Sequence, residues 1–218
     1  MIKNCLFDLD GTLLDTLSAI AYYANGALRA RGIAPITTDD ARSFIGNGAE
    51  TFMDRIFKKK GISDPELFAE VLREYKDAYD REPLYMTAPY RGVPELLKAL
   101  RDNGIRICVL SNKPDVAVRG IIEHFFPEIT HVRGARAGAP LKPDPTAALE
   151  LLASMGASAD ETAVIGDSPE DIYTAINLGA ALKIGVSWGF RDAPMLKEAG
   201  ADTVVDDPAS ILSEVLKR

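Results

Sequence analysis

Hydrophobic positions along the chain fall into short runs separated by longer amphipathic stretches. Runs rich in Val, Ile, Leu and Phe predict strands at Lys3–Leu9, Arg106–Ser111, Ile129–Arg133, Thr162–Gly166 and Ala181–Val186, with a short one near Thr203–Val205. These runs are apolar nearly throughout rather than alternating, as expected of strands covered on both faces. Helical patterns occupy Val93–Asn103, Asp115–His124, Pro145–Met155 and Pro169–Leu178. Gly104 and Gly156 follow two of them, where a helix stop is expected. Strand alternating with helix predicts an α/β fold, a Rossmann-like parallel sheet flanked by helices and joined by right-handed crossovers.

The segment from Leu17 to Pro83 breaks that rhythm and reads as helices only: Leu17–Arg31, Asp40–Phe44, Ala49–Lys60 and Pro65–Arg81. An all-helical cap inserted after the first strand explains this better than a very long loop. The expected division is a core of residues 1–14 and 86–218 and a cap of residues 15–85. The expected hinges are Leu14–Leu17 and Pro83–Gly92.

Composition sets the class. With 218 residues, 47% hydrophobic and 26% charged, the chain can bury a sizeable core without staples. Its net charge of -7 leaves no electrostatic footprint for nucleic acid or an anionic membrane. An anionic substrate would therefore need local positive charge or a metal. Cys5 and Cys108 each lie in an apolar run and read as small buried hydrophobes, with no disulfide framework. The start MIKNCLFDLD lacks the features of a signal peptide, and no run approaches the roughly 18 apolar residues of a membrane span. A cytoplasmic location is expected. Monomer and homodimer both stay open.

The candidate chemistry lies in four stretches: DLDGT (8–12), SNKP (111–114), KPDP (142–145) and GDSPED (166–171). Three fall at or just after predicted strand ends and KPDP falls in the loop before a helix. In open α/β sheets, ligands bind at the carboxyl ends of strands. Strand packing does not ask for Asp8 and Asp10 side by side. Neighbouring carboxylates repel and resist burial, so something else must hold them.

In this order and on this topology, the four stretches resemble the haloacid dehalogenase superfamily of phosphohydrolases with a helical cap. The resemblance implies that Asp8 is a nucleophile forming an aspartyl-phosphate. It implies Mg²⁺ as cofactor, bound by the Asp8 carboxylate, the Asp10 backbone carbonyl and the Asp167 carboxylate, with Asp171 ordering the metal's waters. A spacing of four at a helix start is expected to place Asp167 and Asp171 on one face. Lys142 would pair with phosphoryl oxygens and with Asp8. Ser111 and the backbone amides near Gly11, Thr12 and Asn112 would hold the remaining oxygens. The Asp10 side chain would protonate the leaving alkoxide and then activate water. A halide needs no such proton, so Asp10 favours phosphate esters. His124 and His131 stand away from every motif, which argues against a serine-hydrolase triad.

The stretch SFIGNGAETFMDRIF (43–57) resembles the cap loop and helix of bacterial phosphoglycolate phosphatases, as do SNKP and GVSWGF (185–190). Gly46 and Gly48, flanking Asn47, would let backbone amides approach a small anion. Arg42, Arg55 and Lys113 are the candidates for a substrate carboxylate. Trp188 and Phe190 are expected to wall the entrance. The implied activity is Mg²⁺-dependent hydrolysis of a small phosphorylated metabolite, with phosphoglycolate phosphatase as the nearest pattern. A pyrophosphatase, a sugar-phosphate phosphatase or phosphomutase, and a non-catalytic phosphate sensor remain as alternatives.

Overall fold

No position in the run Asn4–Cys5–Leu6–Phe7 is exposed, and strand β1 (Asn4–Phe7) sits inside the sheet. The computed structural model describes all of residues 1–218. The other strands are β2 (Leu14–Asp15), β3 (Ala88–Pro89), β4 (Arg106–Pro114), β5 (His131–Ala135), β6 (Thr162–Gly166), β7 (Leu182–Val186) and β8 (Thr203–Val205). Six of them form a parallel sheet in the order β5-β4-β1-β6-β7-β8, and β2 and β3 form a separate two-stranded sheet. The chain builds outward from β1 to β5 on one side, then crosses back to β6 and builds to β8 on the other. The strand order therefore reverses between β1 and β6, where a crevice opens at the carboxyl ends of the strands.

The helices are α1 (Leu17–Ala30), α2 (Thr38–Phe44), α3 (Gly48–Lys60), α4 (Pro65–Arg81), α5 (Val93–Asp102), α6 (Asp115–Phe125), α7 (Thr146–Ser154), α8 (Pro169–Leu178), α9 (Ala193–Glu198) and α10 (Pro208–Leu216). The chain divides into two compact units, Met1–Asp15 with Pro89–Arg218, and Thr16–Ala88. In the first, alternate residues of each strand serve opposite layers. Cys5, Phe7, Val109 and Ile165 pack with α5, α6 and α10. Leu6, Cys108, Leu110 and Val164 pack with α7 and α8. Both sheet faces are covered, which is why the strand runs lack polar alternation. Truncating the fully buried Phe7 to Ala would cost about 3–5 kcal/mol.

The second unit holds α1–α4. Thr37 opens α2 with a capping box to Asp40, and Asp64 caps α4 ahead of Pro65. Ring pairs tie the helices together: Tyr23 with Tyr79 at 5.0 Å, Phe52 with Tyr75 at 5.8 Å and Phe57 with Phe68 at 5.3 Å. No helix of the chain is long and apolar enough to cross a membrane.

Several elements differ from the sequence expectation. β4 runs on to Pro114, with a register irregularity against β5 between Leu110 and Pro114, so SNKP lies within an irregular strand end rather than after it. The strand expected from Ile129 begins at His131, because the Ile129 amide closes a turn onto the Phe126 carbonyl. Helices α9 and α10 have no counterpart in the predicted pattern.

Candidate active site

β1 and β6 pair in register, so the residues that follow them emerge together. The Asp8 amide still donates to the Ile165 carbonyl at 2.9 Å, and Asp167 follows Gly166 directly. Asp8, Asp167 and Asp171 are all buried, and one oxygen from each lies within 4.8 Å of the others. Asp171 does not reach this cluster by helical spacing from Asp167, as expected from the sequence. Asp167 precedes the helix, and Asp171 is the third residue of α8. The Asp171 Oδ2 accepts from the Ser168 amide at 3.1 Å and from the Ser168 hydroxyl at 2.6 Å, which turns its other oxygen toward the cluster. A Cβ at Gly166 would lie 2.2 Å from the Asp171 Cγ, so only glycine lets that carboxylate pass.

Lys142 supplies the opposing charge. Its Nζ donates to Asp8 Oδ1 at 2.7 Å, to Asp171 Oδ1 at 2.6 Å and to the Leu110 carbonyl at 3.2 Å. Asn112 grips the lysine's backbone from both sides: its Oδ1 accepts from the Lys142 amide at 2.8 Å and its Nδ2 donates to the Lys142 carbonyl at 3.2 Å. Asp167 is held at both oxygens. Oδ1 accepts from the Thr12 hydroxyl at 3.2 Å, and Oδ2 accepts from the Phe190 amide at 2.7 Å. Gly11, at φ +89°, leaves no room for a Cβ, which would lie 2.3 Å from Asp167 Oδ2. At Gly189 a Cβ would lie 2.4 Å from both Asp167 and the Gly11 carbonyl.

Three buried carboxylates face one ammonium, which leaves an excess of negative charge. Burial, then the Asp171 and Asp167 charges, hold Asp8 well above the usual carboxylate range against the pull of Lys142. Burial and the Asp171 charge push Asp167 up to about 7, although the Phe190 amide, Lys142 and Thr12 oppose the shift. Burial works against the Lys142 charge, but Asp171 and Asp8 outweigh it and raise that pKa above its ordinary value. A divalent cation would relieve this excess, and an all-oxygen donor set fits a hard one.

The sequence profile of haloacid dehalogenase-like hydrolases matches residues 5–183. The chain belongs to this family. It is 32% identical over 219 residues to a phosphoglycolate phosphatase of Agrobacterium fabrum, covering 98% of this chain and 92% of that protein. It is 33% identical over 218 residues to a phosphoglycolate phosphatase of Rhodospirillum rubrum, covering 97% of this chain and 90% of that one. A crystal structure from Lactobacillus delbrueckii subsp. bulgaricus superposes with a TM-score of 0.92 at 30% identity, covering 98% of each chain. That of a predicted phosphoglycolate phosphatase from Haemophilus somnus gives 0.89 at 26% identity, covering 98% of this chain and 97% of that one.

Several candidate residues of this haloacid dehalogenase-like hydrolase occupy places other than those expected. The Gly11 and Thr12 amides donate to the Leu14 and Leu9 carbonyls and close the loop on itself. The Leu9 and Asp10 amides make no such bond, and their letters carried no signal of it. Ser111 is buried and its Oγ accepts from the Lys113 amide at 3.2 Å. Trp188 and Phe190 brace the site: the Trp188 indole donates to the Thr12 carbonyl at 3.1 Å, and Phe190 is buried. Lys113 lies over Asp10, with Nζ 3.2 Å from Oδ1 and 3.1 Å from Oδ2.

In the helical unit, Gly46 and Gly48 take φ values of 150° and 83° on either side of Asn47, and Arg42 lies in the last turn of α2. Arg55 is engaged inside that unit, donating to the Phe44 carbonyl at 2.7 Å and to Asn47 Oδ1 at 2.9 Å. It staples the loop.

Proposed function

We propose that this hydrolase cleaves small phosphate monoesters, phosphoglycolate foremost, with Mg²⁺ in its carboxylate cluster. One observation carries the reading: the buried Asp8 carboxylate is paired to Lys142 within a cluster that also holds Asp167 and Asp171. The substrate rests on the phosphoglycolate phosphatases that match nearly the whole chain.

In this reading Asp8 attacks phosphorus, giving an aspartyl-phosphate as the ester oxygen leaves. Asp10 gives that oxygen its proton and then takes one from the water that cleaves the intermediate. Lys142 holds a phosphoryl oxygen and orients Asp8, and Asn112 fixes Lys142. The Leu9 and Asp10 amides and the Ser111 hydroxyl supply donors for the remaining oxygens. Asp167, locked by Thr12 and Phe190, joins Asp8, Asp171 and the Asp10 carbonyl as the cation's ligands or as holders of its waters. When bound, Mg²⁺ supplies positive charge that offsets repulsion between the carboxylate and the phosphate dianion.

The test is phosphate release with and without Mg²⁺ from phosphoglycolate, pyrophosphate and several sugar phosphates. The expected result is Mg²⁺-dependent release with the highest kcat/KM on phosphoglycolate. Release of equal efficiency across the panel would overturn the substrate, and absence of release from every ester would overturn the activity.

A further inference from the structure

The Lys113–Asp10 pair is unlike the rest of the site. Its two side chains are 8% and 15% exposed, and the ammonium lies against both oxygens of the carboxylate. Asp10 is the residue to which the proposed reaction assigns the ester oxygen. A group bonded to Asp10 therefore stands beside the part of the substrate that leaves. In phosphoglycolate, one methylene separates the ester oxygen from a carboxylate. That carboxylate falls within reach of an ammonium already placed on the acid. Of the three cations considered for a substrate carboxylate, only Lys113 shares a unit with the acid cluster.

We infer that Lys113 is a specificity-determining residue that exchanges Asp10 for the substrate's carboxylate. The inference deepens the proposed function and rests on it. While the ammonium holds both Asp10 oxygens, they face the lysine. A substrate with a carboxylate next to its phosphate ester gives Lys113 a second anionic partner of the same chemistry. The exchange frees an Asp10 oxygen for the ester oxygen. The one contact thereby reads the substrate and uncovers Asp10. The substrate class is phosphorylated 2-hydroxy acids. An ester without the carboxylate leaves the resting pair in place, and so reacts more slowly as well as binding more weakly.

The probe pair is phosphoglycolate and ethyl phosphate, which differ by carboxylate against methyl. Steady-state kinetics of the full chain with Mg²⁺ would compare the wild type, Lys113→Met and Lys113→Arg. The wild type should prefer phosphoglycolate in both kcat and KM. Lys113→Met should lose roughly 30- to 300-fold in kcat/KM on phosphoglycolate, as expected when one partner of a desolvated charge pair is removed. Most of that loss should fall in KM. On ethyl phosphate kcat should rise, because no ammonium then holds Asp10, so that the preference collapses, and Lys113→Arg should restore part of it. Equal losses on both esters, confined to kcat, would show that the lysine serves Asp10 alone and overturn the inference. Preference retained in Lys113→Met would overturn it too, while leaving the proposed substrate standing. A wild type without preference would instead overturn the substrate reading, and the inference with it. Should Lys113→Met fail to fold, Lys113→Arg decides by the same split, since a guanidinium keeps the charge but changes the reach.

Discussion

Replacing Lys142 by Met removes the one ammonium inside the carboxylate cluster while keeping the side chain's length. The lysine side chain is 6% exposed, and its partners Asp8 and Asp171 are 10% and 2% exposed. Two buried carboxylates therefore lose their counter-charge at once, beside a third at Asp167. Breaking one buried pair by deleting one partner typically costs about 3–5 kcal/mol, because the remaining charge cannot regain water. The carboxylates can recover part of this by taking up protons, so the full cost is expected near pH 8 without cation. A bound Mg²⁺ should reduce the deficit. The ammonium repels the cation in the wild type, so the variant should bind Mg²⁺ more tightly and gain more from it by mass action. The assay is urea unfolding followed by circular dichroism at pH 8, in chelator and in saturating Mg²⁺. Phosphate release in parallel should fall by about 10³-fold or more, at the upper end of losses seen for a single donor to developing charge. A deficit below about 1 kcal/mol in chelator would refute the reasoning, given that typical cost. A deficit unchanged by Mg²⁺ would refute it as well.

Three further outcomes follow from the same geometry. Without cation, Asp167 at about 7 holds a proton that the unfolded chain releases near its ordinary value, so stability should fall as pH rises from about 4 to 7; saturating Mg²⁺ should abolish that fall in urea titrations across the range. Gly189→Ala drives a methyl into Asp167 and the Gly11 carbonyl, and calorimetry should find Mg²⁺ affinity lowered by about tenfold or more, since carboxylate placement sets the ligand geometry. Trp188→Phe removes the bond to the Thr12 carbonyl, and denaturant unfolding should show a loss of about 1 kcal/mol, the net worth of a typical hydrogen bond.

Much of the site was legible because side-chain identity and strand position coincide. Asp8 and Asp167 could be placed at strand ends from apolar runs alone, and Lys142 from its motif. Asp171 was found for the wrong local reason. The sequence Ser168-Pro169-Glu170-Asp171 carries a capping signature that explains its orientation better than helical spacing does. Helices α9 and α10 open on Asp192-Ala193-Pro194 and Asp207-Pro208, cap signals as clear as those in the helical unit, but the helices are short and have little periodicity to read. Other contacts were not legible. The Phe190 amide on Asp167 is a backbone donor, and backbone donors leave no trace in residue type. The Asn112 clasp on Lys142 joins the end of β4 to a loop 30 residues on, and the Lys113–Asp10 pair joins residues 103 apart. Sequence showed that each residue was polar and near a motif. Only the packing of β1, β4 and β6 shows which partner each one meets.

The account stands most directly on Asp8 as the nucleophile. Wild-type protein and Asp8→Asn should be mixed with Mg²⁺ and phosphoglycolate carrying a radiolabelled phosphate, then quenched in acid within one turnover. The wild type should carry label on the peptide containing Asp8, released by mild base as an acyl phosphate is. The variant should fold, carry no label and release no phosphate. Phosphate release by Asp8→Asn at the wild-type rate, or wild-type turnover with label on another residue, would contradict the account.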